Sequence, residues 1–389
     1  MVEVVVTGIG LISALGSLET SWKRLLAGQS AIQLHQPFPD LQSRPLALIA
    51  ESPTPLTALV DSVVTAALQD ANLQPPLLDC AVVIGSSRSY QAQWEQWVEK
   101  QVREGDAGRG NTVLIQNPKS KIQNWLDTLP HMPAIATARH IGTAAPVLAP
   151  MAACATGIWA IAQGFELLQT GQYQRAIVGA VEAPVTPLTL AGFMQMGALA
   201  ATGAYPFDCD REGLALGEGG AVFVLETADL AAQRSASVYG RILGFGLTAD
   251  AYHVSTPDPE GWGAIAAVQQ CLARSHLVPP DIDYIHAHGT ATQLNDRNEA
   301  RLMQKLFSQG VPVSSTKGST GHTLGASGAL GVAFSLMALR NQTLPPNVGL
   351  RKTEFELNLV RIPHQQPIEH VLCMSFGFGG QNAVVALAA

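Results

Sequence analysis

Short runs of β-branched residues, several of them ending in glycine, alternate with helical segments along most of the chain. Such runs are typical of strands that are buried on both faces. The predicted strands are 2–8, 81–86, 175–182, 221–227, 241–250, 282–289, 311–316, 370–377 and 382–389, and the predicted helices are 55–73, the segment after Cys154, 228–234, 263–275, 295–309 and 321–340. This alternation predicts an α/β protein whose parallel sheets carry helices on both sides.

The alternation stops and starts again near residue 235. We therefore expect two similar halves packed together, residues 1–235 and residues 236–389, although no repeated motif proves a duplication. The stretch 100–135 is polar and irregular, and it is predicted to be a surface excursion. The most membrane-like segment, 321–340, contains His322 and ends at Arg340, so we expect a buried helix there and no membrane span.

Composition narrows the class of protein further. The 389 residues are 47% hydrophobic and 14% charged, which predicts a folded chain with a large core. The net charge of −7 and the lack of a basic run argue against a nucleic-acid partner. The five cysteines form no C-x-x-C pair, so we expect no disulfide framework, no zinc site and a reducing, cytoplasmic location. The N-terminus has no positively charged leader and contains Glu3, so no signal peptide is expected.

Cys154 stands out because "PMAA" precedes it and a helix of small residues follows it. Unpaired N–H groups at a helix N-terminus stabilise a thiolate and can also bind an oxyanion. Small neighbours allow the tight strand-to-helix turn that presents a nucleophile. We therefore expect Cys154 to be a nucleophile with a lowered pKa. The other four cysteines are interpreted as small buried hydrophobes: Cys80, Cys209, Cys271 and Cys373.

Three later stretches carry further candidates for chemistry. "HAHGTATQLNDRNE" places His288 after a predicted strand, and "SSTKGSTGHTLGASGA" contains Lys317 and His322. "CMSFGFGGQNA" surrounds Phe376 and Phe378 with glycines. The carboxyl ends of strands are where open α/β sheets build their sites, so we expect these residues to meet Cys154.

The chain resembles the β-ketoacyl synthases, which are condensing enzymes of the thiolase superfamily, and is most similar to the elongating synthases of types I and II. The matching motifs, in family order, are "VVVTGIGLISALG", "ACATG", "YPFDCDREGLALGEGGAVFVLE", "DAYHVSTP", "HGTATQLND", "STKGSTGHTLGASGA" and "SFGFGG". The resemblance covers nearly the whole chain. It implies a thiolase-like fold, in which two similar βαβαβαββ halves form a layered α-β-α-β-α sandwich.

The resemblance also implies roles for individual residues. Cys154 would accept the acyl chain as a thioester, while His288 and His322 would promote malonyl decarboxylation and stabilise the enolate. Lys317 would set the electrostatics of the site, and Glu299 would be a buried carboxylate linked to it. Phe378 would act as a gate whose N–H completes the oxyanion hole with that of Cys154. Further supporting and pocket residues are Phe376, Thr290, Thr292, Phe193, Gly377 and Gly379.

The implied reaction is decarboxylative condensation of an acyl thioester with malonyl-acyl carrier protein in fatty-acid elongation, catalysed by a homodimer without a metal or organic cofactor. Two segments that dock the acidic carrier protein in the family differ from the family pattern in this chain. Residues 51–64 lack basic side chains, and Tyr205 replaces an arginine. Candidate substitutes are Lys119, Lys121, Arg103 and Arg109, although a solvated loop explains them equally well.

Several alternatives have a counter-argument in the sequence. A thiolase would have a cysteine at the position of Phe378, and an initiating synthase would have an asparagine at the position of His322. A chain-length-factor pseudoenzyme would have lost Cys154. A Cys–His hydrolase would leave Lys317 and the Phe-Gly loop unexplained. A ketosynthase of a specialised lipid or polyketide pathway and a non-condensing acyl-binding partner subunit stay open.

Overall fold

Strands and helices alternate through residues 2–106 and 125–389, which are the residues that this computed structural model describes. The strands are β1 (Val4–Ser13), β2 (Gly16–Ser17), β3 (Gln33–His35), β4 (Arg44–Ala47), β5 (Cys80–Gly85), β6 (Val147–Leu148), β7 (Arg175–Glu182), β8 (Leu216–Gly217), β9 (Gly219–Thr227), β10 (Gly240–Ala249), β11 (Tyr284–His286), β12 (Pro312–Ser314), β13 (Thr343–Leu344), β14 (Asn358–Leu359), β15 (His364–Gln365), β16 (His370–Gly377) and β17 (Gln381–Ala388). The helices are α1 (Leu18–Leu26), α2 (Leu56–Asp70), α3 (Gln91–Asp106), α4 (Met132–Ile141), α5 (Thr156–Gln169), α6 (Pro187–Gln195), α7 (Ala228–Gln233), α8 (Trp262–Arg274), α9 (Gln293–Leu306), α10 (Lys317–Thr320) and α11 (Ser327–Asn341).

The strands form two sets with the same arrangement. The N-terminal set has the order β1-β9-β7-β5-β6, in which β9 runs antiparallel to β1 and β7 while β7, β5 and β6 are parallel. The C-terminal set has the order β10-β17-β16-β11-β12-β14, with β17 antiparallel to β10 and β16. A short antiparallel pairing of β1 with β10 joins the sets. The sheets are therefore mixed, because they contain antiparallel pairs that the expectation of parallel sheets did not include. From the repeated order we infer a division into halves near residue 235.

The helices occupy three layers around these two sets. Helices α5 and α11 pack against each other and contact strands of both sets, so they form the central layer. Helices α2 and α4 cover the outer face of the N-terminal set, and α8 covers that of the C-terminal set. A side chain at Gly157 would place its Cβ 2.4 Å from the backbone nitrogen of Ala329, so glycine is required where α5 and α11 approach. The predicted α-β-α-β-α sandwich of a thiolase-like fold is confirmed.

The predicted buried helix at 321–340 is shorter than expected. Residues 317–320 form the one-turn helix α10, a 3-10 turn covers Leu324–Ala326, and α11 begins at Ser327. All α11 residues from Ser327 to Leu339 are buried, which explains their apolar character. In the described residues, none of the helices combines the length and the apolar character that a membrane crossing requires.

Strand lengths also differ from the predictions. β1 continues to Ser13, because Gly8 and Gly10 lie inside the strand and do not end it. A Cβ on Gly10 would lie 1.9 Å from the carbonyl oxygen of Val63, so this glycine allows α2 to pack tightly on the sheet. The strands predicted at 282–289 and 311–316 pair only over Tyr284–His286 and Pro312–Ser314, which frees the residues that follow them for the site.

Some elements were not predicted. Apart from several two-residue strands, they are helices α1, α3, α4, α6 and α10 and the small sheet of order β3-β4-β8. The expected excursion at 100–135 contains the end of α3 and the start of α4, while residues 107–124 lie outside the described part. The proposed carrier-docking residues Arg109, Lys119 and Lys121, and the side chain of Arg103, lie outside it as well.

Candidate active site

Cys154 lies just before the first turn of α5, at the end of a strained turn. The preceding residue, Ala153, has a φ of +47°, which is rare for a residue with a side chain. The hydroxyl oxygen of Thr156 accepts the N–H of Ala152 at 2.9 Å and donates to the carbonyl of Ala153 at 2.7 Å. These bonds hold the backbone in the tight turn that the small residues predict.

The pKa of Cys154 is higher than the sequence suggests. Burial raises it from the ordinary value to about 11, against the opposing effects of Lys317, Arg88 and the backbone N–H of Phe378, which hydrogen-bonds the sulfur. The cost of placing an anion in this pocket exceeds the gain from the nearby positive groups. The expectation of a lowered pKa is therefore wrong for the resting protein, in which Cys154 is a neutral thiol at pH 7.

Two imidazoles from the C-terminal half meet this thiol. The sulfur of Cys154 and one ring nitrogen each of His288 and His322 lie within 4.8 Å of one another. The two rings are 5.4 Å apart and almost perpendicular, at 83°. All three side chains are buried. Side chains from the two halves of the sequence thus converge on one point.

Hydrogen bonds determine which nitrogen of each imidazole carries the proton. Nδ1 of His322 accepts the backbone N–H of Leu324 at 3.2 Å and lies 2.8 Å from the hydroxyl of Ser327. Nδ1 of His288 lies 3.4 Å from Nζ of Lys317, an ammonium that has no lone pair to accept a proton. Burial, followed by the charge of Lys317, holds the pKa of both imidazoles well below the ordinary value. Each ring is therefore neutral and presents Nε2–H as a donor.

Lys317 and Glu299 fix the His288 peptide from two sides. The Lys317 ammonium donates to the His288 carbonyl oxygen, while the Glu299 carboxylate accepts the N–H groups of His288 at 2.6 Å and of Gly289 at 2.8 Å. Burial raises the pKa of Glu299 and lowers that of Lys317. The predicted link between the carboxylate and the lysine thus runs through the backbone of His288.

The glycine-rich loop after β16 packs directly on the cysteine turn. A Cβ on Gly377 would lie 2.9 Å from the carbonyl oxygen of Ala152 and 3.0 Å from the nitrogen of Cys154, so only glycine fits. The hydroxyl of Ser375 donates to the Cys154 carbonyl at 2.8 Å. The ring of Phe378 stacks on Phe193 with centroids 5.8 Å apart. This contact supports the gate predicted at Phe378.

A cavity of about 380 Å³ opens onto the thiol. The predicted site residues that line it are Cys154, Phe193, His288, Thr290, Thr292, His322, Phe376, Gly377 and Phe378. Phe376 also packs edge-on against His288, and the hydroxyls of Thr290 and Thr292 are 2.8 Å apart. Lys317 and Glu299 act on the cavity through His288, and Gly379 lies in the adjoining turn with a φ of +76°.

Sequence reasoning did not find several residues that support the site. They are Arg88, Glu182, Ser327 and Ser375. Arg88, Glu182 and Ser375 are each far along the chain from the residue that they support, whereas Ser327 follows His322 by five residues. For Arg88 and Glu182, the only signals in the sequence were a charged residue type and a position at the end of a buried strand. Arg88 follows one such strand, and Glu182 is the last residue of another.

The cysteine and the two histidines also meet a distance criterion for a metal site. Metal binding would require a lone pair on each ligating nitrogen. The contacts of Nδ1 in His322 and His288 instead leave the proton on Nε2 of each ring. The donor set therefore fits an oxyanion better than a cation.

The fold and the site together define a condensing enzyme with a thiolase-like fold. Residues 47–231 match the family model described as "Beta-ketoacyl synthase, N-terminal domain", and residues 239–351 match "Beta-ketoacyl synthase, C-terminal domain". The chain therefore belongs to the β-ketoacyl synthase family, a family of acyltransferases, as the motifs predicted.

Individual relatives extend this match to the whole chain. The 3-oxoacyl-[acyl-carrier-protein] synthase 2 of Coxiella burnetii is 32% identical over 420 residues, covering 99% of this chain and 98% of the relative. A β-ketoacyl synthase structure from Burkholderia phymatum superposes with a TM-score of 0.87 at 25% identity, covering 100% of this chain and 99% of that one. The ishigamide ketosynthase/chain length factor structure gives a TM-score of 0.89 at 25% identity with the same coverage.

Proposed function

We propose that this protein catalyses the decarboxylative condensation of an acyl group, held as a thioester on Cys154, with malonyl-acyl carrier protein, as in fatty-acid chain elongation. The observation that supports this most strongly is the convergence of a thiol and two neutral imidazoles within 4.8 Å of one another at the base of a cavity. A hydrolase needs one base beside its nucleophile, whereas two N–H donors suit a developing enolate.

In the first step, the sulfur of Cys154 attacks the carbonyl carbon of the acyl thioester. The backbone N–H of Phe378 lowers the pKa of the Cys154 thiol, and with the N–H of Cys154 it would bind the oxyanion that forms. The carrier thiolate leaves when the tetrahedral intermediate collapses. Because the resting group is a thiol, its proton leaves as the new bond forms and ends on the departing carrier sulfur.

In the second step, malonyl thioester occupies the cavity with its thioester oxygen near the Nε2–H groups of His288 and His322. Loss of CO₂ leaves an enolate, whose negative oxygen these two donors stabilise in a site sheltered from water. The enolate carbon then attacks the acyl carbon on Cys154. A carbon–carbon bond forms, the sulfur leaves as a thiolate, and a proton from solvent restores the thiol.

A basic stripe near the cavity opening supports an acidic carrier protein as the partner. Helix α9 begins at the cavity rim and exposes Arg297, Arg301 and Lys305, one helical turn apart, while its acidic residues Asp296 and Glu299 are buried. A chain of net charge −7 needs such a local patch to attract an anionic partner. If the carrier docks here, the double variant R297E/R301E raises the KM for carrier substrates and leaves that for pantetheine thioesters unchanged.

We also propose that the protein acts as a homodimer in the cytoplasm. Among the described residues, strand β6 is the last strand on its side of the sheet and leads directly to the cysteine turn, and the nearby apolar side chains Leu148 and Met151 are exposed. An open strand edge beside apolar surface favours pairing with a second copy. All five cysteines are unpaired, which suits a reducing compartment. Light scattering of the purified protein tests the dimer.

Incubation of the protein with hexanoyl- and malonyl-carrier thioesters tests the reaction. Condensation predicts release of CO₂ and a product longer by two carbons, and the C154A variant should form no such product. Free hexanoic acid without elongation would indicate a hydrolase. Binding without any change in mass would indicate a partner subunit, and either result would contradict the proposal.

A further inference from the structure

Asn295 lies in the first turn of α9 and lines the active-site cavity, and none of the steps above uses it. Its side-chain nitrogen is 3.1 Å from Oδ1 of Asp296 and 3.2 Å from Oε2 of Glu299. Both neighbours are carboxylate oxygens, which only accept hydrogen bonds, so the NH2 end of the amide faces them and not the carbonyl end. One amide at the cavity wall thus donates to two acidic side chains.

These two carboxyl groups disfavour each other's ionised form. Asp296 and Glu299 are both buried, and burial followed by the negative charge of Asp296 raises the pKa of Glu299. In the part of the chain that the structure describes, Asn295 is the only side chain that donates to Glu299. The other two donors are the backbone N–H groups of His288 and Gly289. Loss of the amide would therefore favour the protonated acid at Glu299.

The ionised form matters because Glu299 holds the peptide that carries the His288 ring. Oε1 accepts the N–H of His288 at 2.6 Å, and Oε2 accepts the N–H of Gly289 at 2.8 Å. A proton on either oxygen would compete with these donors for its lone pairs. It would also remove the negative charge that favours the ammonium form of Lys317, which donates to the His288 carbonyl oxygen. Protonation of Glu299 would thus loosen the His288 peptide on both sides.

The other charged and titratable groups around this glutamate do not replace the amide. The Lys317 ammonium is directed to the carbonyl oxygen of His288, and Arg211 approaches the Asp296 carboxylate at 3.9 Å. Burial keeps two further groups neutral at pH 7, because it holds the pKa of the His288 ring well below the ordinary value and raises that of the Cys373 thiol to about 12. The ionised glutamate therefore depends on the amide for its side-chain hydrogen bond.

We propose that Asn295 is a positioning residue, whose amide keeps Glu299 ionised and so holds His288 in place for stabilising the enolate. This rests on the proposed function, because it assumes that His288 takes part in malonyl decarboxylation. A hydrogen bond to a charged group displaces its ionisation by about one pH unit, which is tenfold in the equilibrium between the two forms. The dependence of decarboxylation on pH is therefore the property that Asn295 sets.

The first measurement is the rate of CO₂ release from malonyl-pantetheine between pH 5.5 and pH 9.5. The wild-type rate should rise with pH as Glu299 ionises. N295L keeps a side chain of similar size without the donor, and its rise should be displaced by about one unit to higher pH. At the wild-type midpoint the variant should be roughly fivefold slower, and the ratio of the two rates should approach one as the pH rises. A purely structural defect would lower the rate by the same factor at every pH.

The matched control is N298L. Asn298 lies on the same helix, but its amide donates to the backbone carbonyl of Asp258 at 3.3 Å and not to a carboxylate. The curve for N298L should therefore have the wild-type midpoint. N295A also removes the donor and differs from N295L in bulk, so a displacement found in both variants reports the lost hydrogen bond.

Carbon-13 NMR of the Glu299 carboxyl group, assigned with E299Q, measures its ionisation without any reaction. The midpoint should move to higher pH in N295L and N295A. An unmoved midpoint in both, or a rate loss that is equal at every pH, would overturn the role of Asn295 and leave the synthase proposal intact. A wild type that releases no CO₂ from malonyl thioesters would contradict the synthase proposal and the positioning role, while a moved midpoint would still establish the link between Asn295 and Glu299.

Discussion

Removal of the Lys317 charge should slow the reaction of Cys154 with alkylating agents. Lys317 is the strongest of the influences that lower the pKa of this thiol. Nζ is 3.4 Å from Nδ1 of His288, and a nitrogen of that ring is within 4.8 Å of the sulfur. Nζ therefore lies within about 10 Å of the sulfur, where a unit charge at an effective dielectric constant of about 20 contributes about 1.7 kcal/mol.

This energy corresponds to a pKa change of about one unit, since each unit equals about 1.4 kcal/mol. The variant K317M should raise the pKa of Cys154 above about 11, and the thiolate fraction at pH 7.5 should fall about tenfold. The assay is the rate of iodoacetamide labelling of Cys154 between pH 7 and pH 10, measured by peptide mass. The rate should rise about tenfold per pH unit in both proteins, with the K317M curve displaced to higher pH.

The exposed lysine Lys352 provides the matched control, and K352M should label as the wild type does. Labelling of half-buried Cys209 in the same samples reports any general loosening of the fold. Equal rates for K317M and wild type at pH 7.5 would refute the electrostatic reasoning. So would a wild-type rate that levels off near pH 8, because a thiol with a pKa of about 11 continues to ionise beyond that pH.

Two further variants test packing and burial. G377A should reduce acylation of Cys154 by roughly tenfold or more, because its Cβ would displace the cysteine turn, whereas G192A, with no atom within 4 Å of the added Cβ, should not. Burial, followed by the charge of Lys317, lowers the pKa of His286 to about 3, so the unfolded chain takes up one more proton than the native state below pH 6.5. The contribution of His286 to the free energy of unfolding therefore falls by about 1.4 kcal/mol for each pH unit below 6.5. Urea unfolding at pH 6.5 and 4.5 should show a smaller loss for H286N than for the wild type, and an equal loss would contradict this reasoning.

The sequence predicted which side chains would lie close together better than it predicted their protonation state. Cys154, His288, Lys317 and His322 each lie in a contiguous motif, so their positions along the chain were readable without the fold. The direction of the shift in the Cys154 pKa could not be predicted from the sequence, because it depends on how many groups from other elements exclude water from the sulfur. A helix N-terminus viewed in isolation predicts a lowered pKa, and burial reverses it.

Lengths of elements were poorly predicted where glycine has a packing role. Gly8 and Gly10 suggested the end of a strand, but they allow a helix to lie against the middle of one. The hydrogen bonds of Glu182 could not be predicted from the sequence either. Its five hydrogen-bond donors come from two loops that only the fold brings together. Local sequence reports backbone conformation, whereas these contacts depend on long-range packing.

Burial acts on the thiol and on the imidazoles in opposite directions, and both effects suit the chemistry. It raises the pKa of Cys154 and lowers the pKa of His288 and His322, so all three groups are neutral at pH 7. Charge then appears only when substrate binds, first on the oxyanion and later on the enolate, where N–H donors are already in place. A neutral resting thiol is also a poor target for oxidants and alkylating agents. The charge that the reaction needs therefore develops only on a thioester placed against these donors.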